Sequence, residues 1–129
     1  MKRILLFAPL MLLTVSVAMT IPSALFKWGK TTHDFGRIVQ GKPVTAEFIF
    51  TNTGELPLLI SHAKGSCGCT GVDYSKAATM PGQSGTVRAT FNAAASGTFN
   101  KNVTVESNAE GGAMVLYVKG EVVSEEIGQ

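Results

Sequence analysis

The chain has little cysteine, little histidine and little charge. Two cysteines in 129 residues cannot staple a fold of this size, which excludes a small disulfide scaffold. Charged side chains make up 16 % and apolar ones 45 %, a balance that excludes an intrinsically disordered chain. No run of Lys or Arg occurs, and no aromatic residues interleave with basic ones, so a nucleic-acid face has no electrostatic support. The formal charge of +2 does not restore one, because it resides in Lys2 and Arg3. Without them, nine basic side chains face nine acidic ones. No phosphate-binding glycine loop or metalloprotease motif is present. Gly65-Ser66-Cys67 lacks the second half of a nucleophile elbow. The residues thus supply no acid/base or nucleophile constellation, and neither an enzyme nor a cofactor is expected.

There is one long hydrophobic run. Lys2 and Arg3 precede residues 4–18, which carry no charge, in the pattern of a secretory signal. Small residues at Ser16-Val17-Ala18 place cleavage after Ala18. The uncharged stretch continues to Phe26, long enough at roughly 20 residues per crossing to make an uncleaved anchor the alternative. Thr14, Ser16, Thr20, Pro22 and Ser23 thin its apolar character, so cleavage is preferred. The organisation expected is a signal peptide at 1–18 (or an anchor to about 26), a linker at 19–30, one domain at 31–123 and a tail at 124–129. The setting expected is periplasmic or secreted, with membrane contact only through an uncleaved N-terminal segment.

Helical periodicity is missing from the rest, and turn residues recur about every ten positions, as in all-β sandwiches and barrels. Ala46, Phe48 and Phe50 alternate with Thr45, Glu47 and Thr51, and Ile49 suggests a partly covered second face. Asn52-Thr53-Gly54 is a turn, attributed to the tolerance of Asn and Gly for positive φ. A strand over 56–63 follows, with Pro57 at its start. Val87, Ala89 and Phe91 alternate cleanly. Phe99, Val103 and Val105 do so with Lys101 as the misfit. Leu116, Val118 and Val122 complete the set. With residues 31–38, about seven strands fit an immunoglobulin-like antiparallel sandwich. Its expected core includes Phe35, Phe48, Phe50, Leu58, Ile60, Val87, Phe91, Val103, Val105, Leu116 and Val118.

Chemical character is confined to Gly65-Ser66-Cys67-Gly68-Cys69-Thr70-Gly71, whose glycines argue for a loop or bulge. In an extended strand the two Cα atoms would lie roughly 6.6 Å apart, near the upper limit for a disulfide. A Cys67–Cys69 bond therefore needs a bend at Gly68, where the missing Cβ permits one. Such a bond closes a tiny loop and removes little unfolded-state entropy. Four readings stand: a pair that shapes the loop, a thiol–disulfide exchange site, a soft-metal site for Cu(I) or Zn, and an intermolecular disulfide. The metal reading needs His62, His33 or Met80 nearby, with His62 the better candidate.

These segments together resemble the bacterial secreted family called domain of unknown function 1573. The resemblance is carried by His33-Asp34-Phe35-Gly36, Phe48-Ile49-Phe50-Thr51-Asn52-Thr53-Gly54, Pro57-Leu58-Leu59-Ile60, Ser66-Cys67-Gly68-Cys69-Thr70 and Pro81-Gly82-Gln83-Ser84-Gly85. It continues through Gly97-Thr98-Phe99, residues 103–108 and residues 116–120. It implies an immunoglobulin-like fold similar to ASH and major-sperm-protein-like domains, a secreted or periplasmic setting, and Cys67 and Cys69 as a hallmark pair. It implies no activity. The expected function is a non-enzymatic binding or structural module of the cell envelope, a monomer with a protein or envelope partner at its edge strands. The alternative is thiol redox or soft-metal handling through Cys67 and Cys69.

Overall fold

The computed structural model describes residues 11–17 and 21–124. Residues 1–10 of the expected signal segment, its cleavage point after Ala18, and residues 125–129 of the expected tail lie outside the described residues. No helix among the described residues is long and apolar enough to cross a membrane.

Among the described residues eight strands form two four-stranded sheets. They are β1 (Phe26–Trp28), β2 (Thr32–Val39), β3 (Val44–Asn52), β4 (Ile60–Gly65), β5 (Thr70–Tyr74), β6 (Ser84–Phe91), β7 (Gly97–Ser107) and β8 (Ala113–Val123). One sheet has the order β1-β3-β6-β5, the other β2-β8-β7-β4. The immunoglobulin-like sandwich is as the alternation predicts. Phe48, Phe50, Val87, Val103, Val105, Leu116 and Val118 are buried between the sheets. Period-2 alternation fixes this register, since a one-residue slip would turn every one of these side chains to water.

The structure corrects several details. The count is eight strands, because β1 lies inside the expected linker and β5 follows the Cys-Gly-Cys segment. β1 has only three residues, but Phe26 and Trp28 both set their rings against Phe50, with centroids 4.9 and 5.1 Å away. The sandwich is not wholly antiparallel: β2 runs parallel to β8 from Thr32↔Tyr117 to Val39↔Val123. The strand expected over 56–63 begins as one bridge, Leu58 to Thr79, and becomes regular only at Ile60. Ile49 is 52 % exposed, so its face is uncovered. Phe35 is half-buried and packs against both core clusters rather than sitting inside one.

Asn52 ties the N-terminal segment to this frame. It is fully buried, and its amide uses both ends. Oδ1 accepts from the backbone N–H of Leu25 at 3.3 Å and of Gly54 at 2.9 Å. Nδ2 donates to the carbonyls of Leu56 at 2.7 Å and Thr79 at 2.9 Å. A buried amide satisfied in this way specifies one geometry. Gly54 does not have positive φ. It is glycine because a Cβ there would collide with the Ser23 carbonyl and the backbone of Ala24 and Leu25, so the turn residue makes room for the segment that leads into β1.

Candidate functional site

β4 ends at the edge of one sheet and β5 begins at the edge of the other, so residues 66–69 form an arch across the sandwich. Cys67 and Cys69 are joined by a disulfide, with their Cα atoms 5.2 Å apart. The bend at Gly68 that the spacing requires is therefore made. A Cβ on Gly68 would have nothing within 4 Å, so the arch is open above that residue. Gly65 is the opposite case. A Cβ there would lie 2.8 Å from the Thr70 carbonyl, so the two legs can close only over glycine.

The arch is pinned from both sides. The Ser66 N–H donates to the Asn102 carbonyl at 2.8 Å, and the Asn102 N–H donates to Ser66 Oγ at 3.2 Å. The Asn92 N–H donates to the Cys69 carbonyl at 3.0 Å. Both cysteines are half-buried, and Cys69 packs against the cluster containing Phe91 and Phe99. Thr70 is buried. Its Oγ1 lies 3.7 Å from Cys67 Sγ and 4.0 Å from Cys69 Sγ.

Lys101, the misfit of its strand, belongs to this site. The β4–β7 register pairs Lys64 with Thr104 and Gly65 with Val103. Ser66 and Asn102 extend the contact through their two hydrogen bonds, which sets Lys101, the β7 residue next to Asn102, at the foot of the arch that Cys67 begins. Lys101 lies opposite buried Val118 of β8, between inward-facing Phe99 and Val103, and is half-buried. Alternation alone marked it as anomalous; only the bonding of its neighbour Asn102 gives the anomaly a place.

The other candidates lie apart. His62 is exposed on β4 and faces Glu106. Met80 is 47 % exposed beside the Pro81-Gly82 turn. The His33 ring packs edge-on to Phe35 at 4.5 Å, and Lys30 Nζ donates to its Nδ1 at 2.6 Å. Burial, and then the Lys30 charge, push the His33 pKa down, while Asp34 pulls it up. Among the described residues no three His, Cys, Asp or Glu side chains are placed to hold a metal ion. A sulfur bound in a disulfide is also not the thiolate a soft metal takes. The structure does not gather the soft-metal set.

A second feature flanks β1, whose outer edge pairs with no strand among the described residues, beyond the bridge of Ala24 to Ala109 just before it. Leu25, Phe26, Trp28, Ala113 and Met114 line a cleft of about 270 Å³, with Glu110 at its rim. Through Leu25 and Glu110 it runs into a shallower depression that includes Ile21 and Glu55. No Lys or Arg lines either. Trp28 Nε1 is enclosed beside the cleft without an acceptor.

The family model described as protein of unknown function (DUF1573) matches residues 26–122, from the first residue of β1 to the penultimate residue of β8. The chain belongs to the DUF1573 family. No curated protein matches it in sequence. In structure it resembles a protein of unknown function from Porphyromonas gingivalis W83, with a TM-score of 0.69 and 16 % identity over 84 % of this chain and 51 % of that one. It also resembles PapD-like domain 7 of human CEP192, an ASH/PapD-like domain, with a TM-score of 0.68 and 12 % identity over 87 % and 94 %. The VesB protease of Vibrio cholerae matches with a TM-score of 0.60 and 16 % identity over 75 % and 31 %. The chain thus spans about half of the P. gingivalis protein and a third of the protease. At these identities the likenesses show the fold alone, and a fold does not carry an activity with it.

Proposed function

We propose that this DUF1573 domain is an exported, monomeric binding module of the bacterial cell envelope rather than an enzyme, and that it holds an extended segment of a partner protein along β1. The export reading is supported by the basic and apolar leader and by the disulfide, which suits an oxidising compartment. The observation that carries the binding reading is the unpaired edge of β1 beside an apolar cleft with an acidic rim. An exposed strand edge pairs with an extended chain through main-chain hydrogen bonds, and neighbouring pockets take alternate side chains. Here the cleft takes an apolar side chain, and Glu55 and Glu110 face a Lys or Arg of the partner.

Trp28 is the single tryptophan of the chain and lines the cleft, so its emission reports occupancy. Titration with extended peptides alternating apolar and basic residues is expected to shift that emission saturably, while acidic counterparts leave it unchanged. Calorimetry of the doubly reversed variant, Glu55→Lys with Glu110→Lys, is expected to show about tenfold weaker binding of the basic peptides. An emission that ignores both peptide classes, or affinity untouched by the reversal, overturns the assignment.

A further inference from the structure

Beyond binding, the arch offers chemistry of its own. We propose that the Cys67–Cys69 bond is a transferable disulfide, passed to a pair of cysteine thiols in an extended polypeptide, with Lys101 and Thr70 as positioning residues for Cys67.

Three observations carry this. The bond closes the smallest of loops, two residues apart, so loop closure gives it little protection in the folded chain. Its surroundings are asymmetric. Cys69 rests on the Phe91 and Phe99 cluster, whereas Cys67 has the Thr70 hydroxyl nearer to it and follows Ser66, whose bonds to Asn102 set Lys101 at the foot of the arch. A cation and a hydroxyl donor both favour the thiolate over the thiol, so Cys67 is the sulfur on which negative charge is best accommodated. Finally, β4 and β5, the two strands that flank the arch, are each at a sheet edge, and an extended chain paired with either would pass beside the open space above Gly68.

The exchange balances in two steps. A substrate thiolate attacks Cys67 Sγ; the Cys67–Cys69 bond breaks, and Cys69 leaves as a thiolate that takes up a proton. The second substrate thiolate then attacks the substrate sulfur of this mixed disulfide and expels the Cys67 thiolate beside the Thr70 hydroxyl and the Lys101 ammonium. Two electrons have moved from the substrate dithiol to Cys67 and Cys69; of the two protons the substrate thiols give up, one ends on Cys69 and the other passes to solvent while Cys67 stays a thiolate. A more oxidising disulfide of a second protein restores the pair by the same exchange run in reverse.

The test mixes the oxidised full chain with an equimolar, reduced, two-cysteine peptide under nitrogen, and follows the peptide disulfide by mass and the protein thiols by alkylation. One peptide disulfide is expected for each Cys67–Cys69 pair opened. Lys101→Met is expected to slow the transfer about threefold near neutral pH, since the exchange rate follows thiol acidity with a coefficient of about one half. It is also expected to move the pH midpoint of Cys67 alkylation upward with Tm unchanged, and Lys101→Arg is expected to restore both. In the single-cysteine variants, Cys69→Ser, which leaves Cys67, is expected to form a mixed disulfide with an oxidised peptide faster than Cys67→Ser, which leaves Cys69. A peptide that stays reduced, or a Lys101→Met variant with the wild-type rate and pH profile, overturns the proposal. A Cys69 that outpaces Cys67 overturns the assignment of roles.

Discussion

Two of the crossings between the sheets, β1 to β2 and β4 to β5, are held by different forces. Between β1 and β2, residues 29–31 cross with an aromatic cluster under them: Phe26 and Trp28 stack at 4.9 Å and both meet Phe50 edge-on. Main-chain bonds from Gly29 N–H to the Ile49 carbonyl and from Tyr117 N–H to the Thr31 carbonyl complete that side. Between β4 and β5 the legs are Gly65 and Thr70, Cys69 rests on the cluster of Phe91 and Phe99, and a covalent bond joins Cys67 to Cys69. The magnitudes rank the two. Each aromatic ring removes on the order of 150–250 Å² from water, which at about 25 cal/mol per Å² amounts to several kcal/mol for the cluster. A disulfide closing so small a loop stabilises by less than about 2 kcal/mol. The aromatic cluster therefore contributes more stability than the disulfide bond itself.

Asn52→Ala breaks the aromatic side hardest. It strands the Leu25 and Gly54 donors and the Leu56 acceptor and takes one of two donors from the Thr79 carbonyl, and urea denaturation is expected to show a loss of about 3 kcal/mol. Removing the covalent bond with Cys67→Ser plus Cys69→Ser should cost less than about 2 kcal/mol in the same measurement. If the double serine variant loses more than Asn52→Ala, the ranking of the two crossings is reversed. The smallest effect is a pH dependence at the β1–β2 link. The neutral His33 ring accepts from Lys30, and its folded pKa lies below the ordinary 6.5. The unfolded chain thus binds the proton more readily, so stability present above pH 6.5 is lost as pH falls through the folded value. A shallow fall in Tm between neutral and mildly acid pH is expected, and His33→Gln should flatten that part of the curve.

The sandwich was legible wherever apolar residues alternate over five or more positions, as in β3, β6 and β8. It was not legible at β1, because three residues next to an uncharged run show no period. Nor was it legible at β5, where Gly71 and the neighbouring motif mask a short strand. Parallel pairing of β2 with β8 is a long-range fact that no local pattern encodes. The bend at Gly68 followed from covalent geometry, and the glycine of the Asn-Thr-Gly turn was recognised for the wrong reason. Lys101 broke its pattern visibly, but the residue it serves lies 34 positions earlier in the chain. A still longer separation in sequence hid the Glu110 rim beside β1.

The parallel pairing also sets a schedule. β8 lies between β2 and β7, so the strand made last fills the middle of its sheet. A chain emerging from its N-terminus carries β2 with no neighbour until the final strand arrives. Pairings so far apart in sequence form slowly. The domain cannot mature piecemeal, and a nascent or threading chain would keep its native edges unmade until almost every residue of the sandwich is free to join.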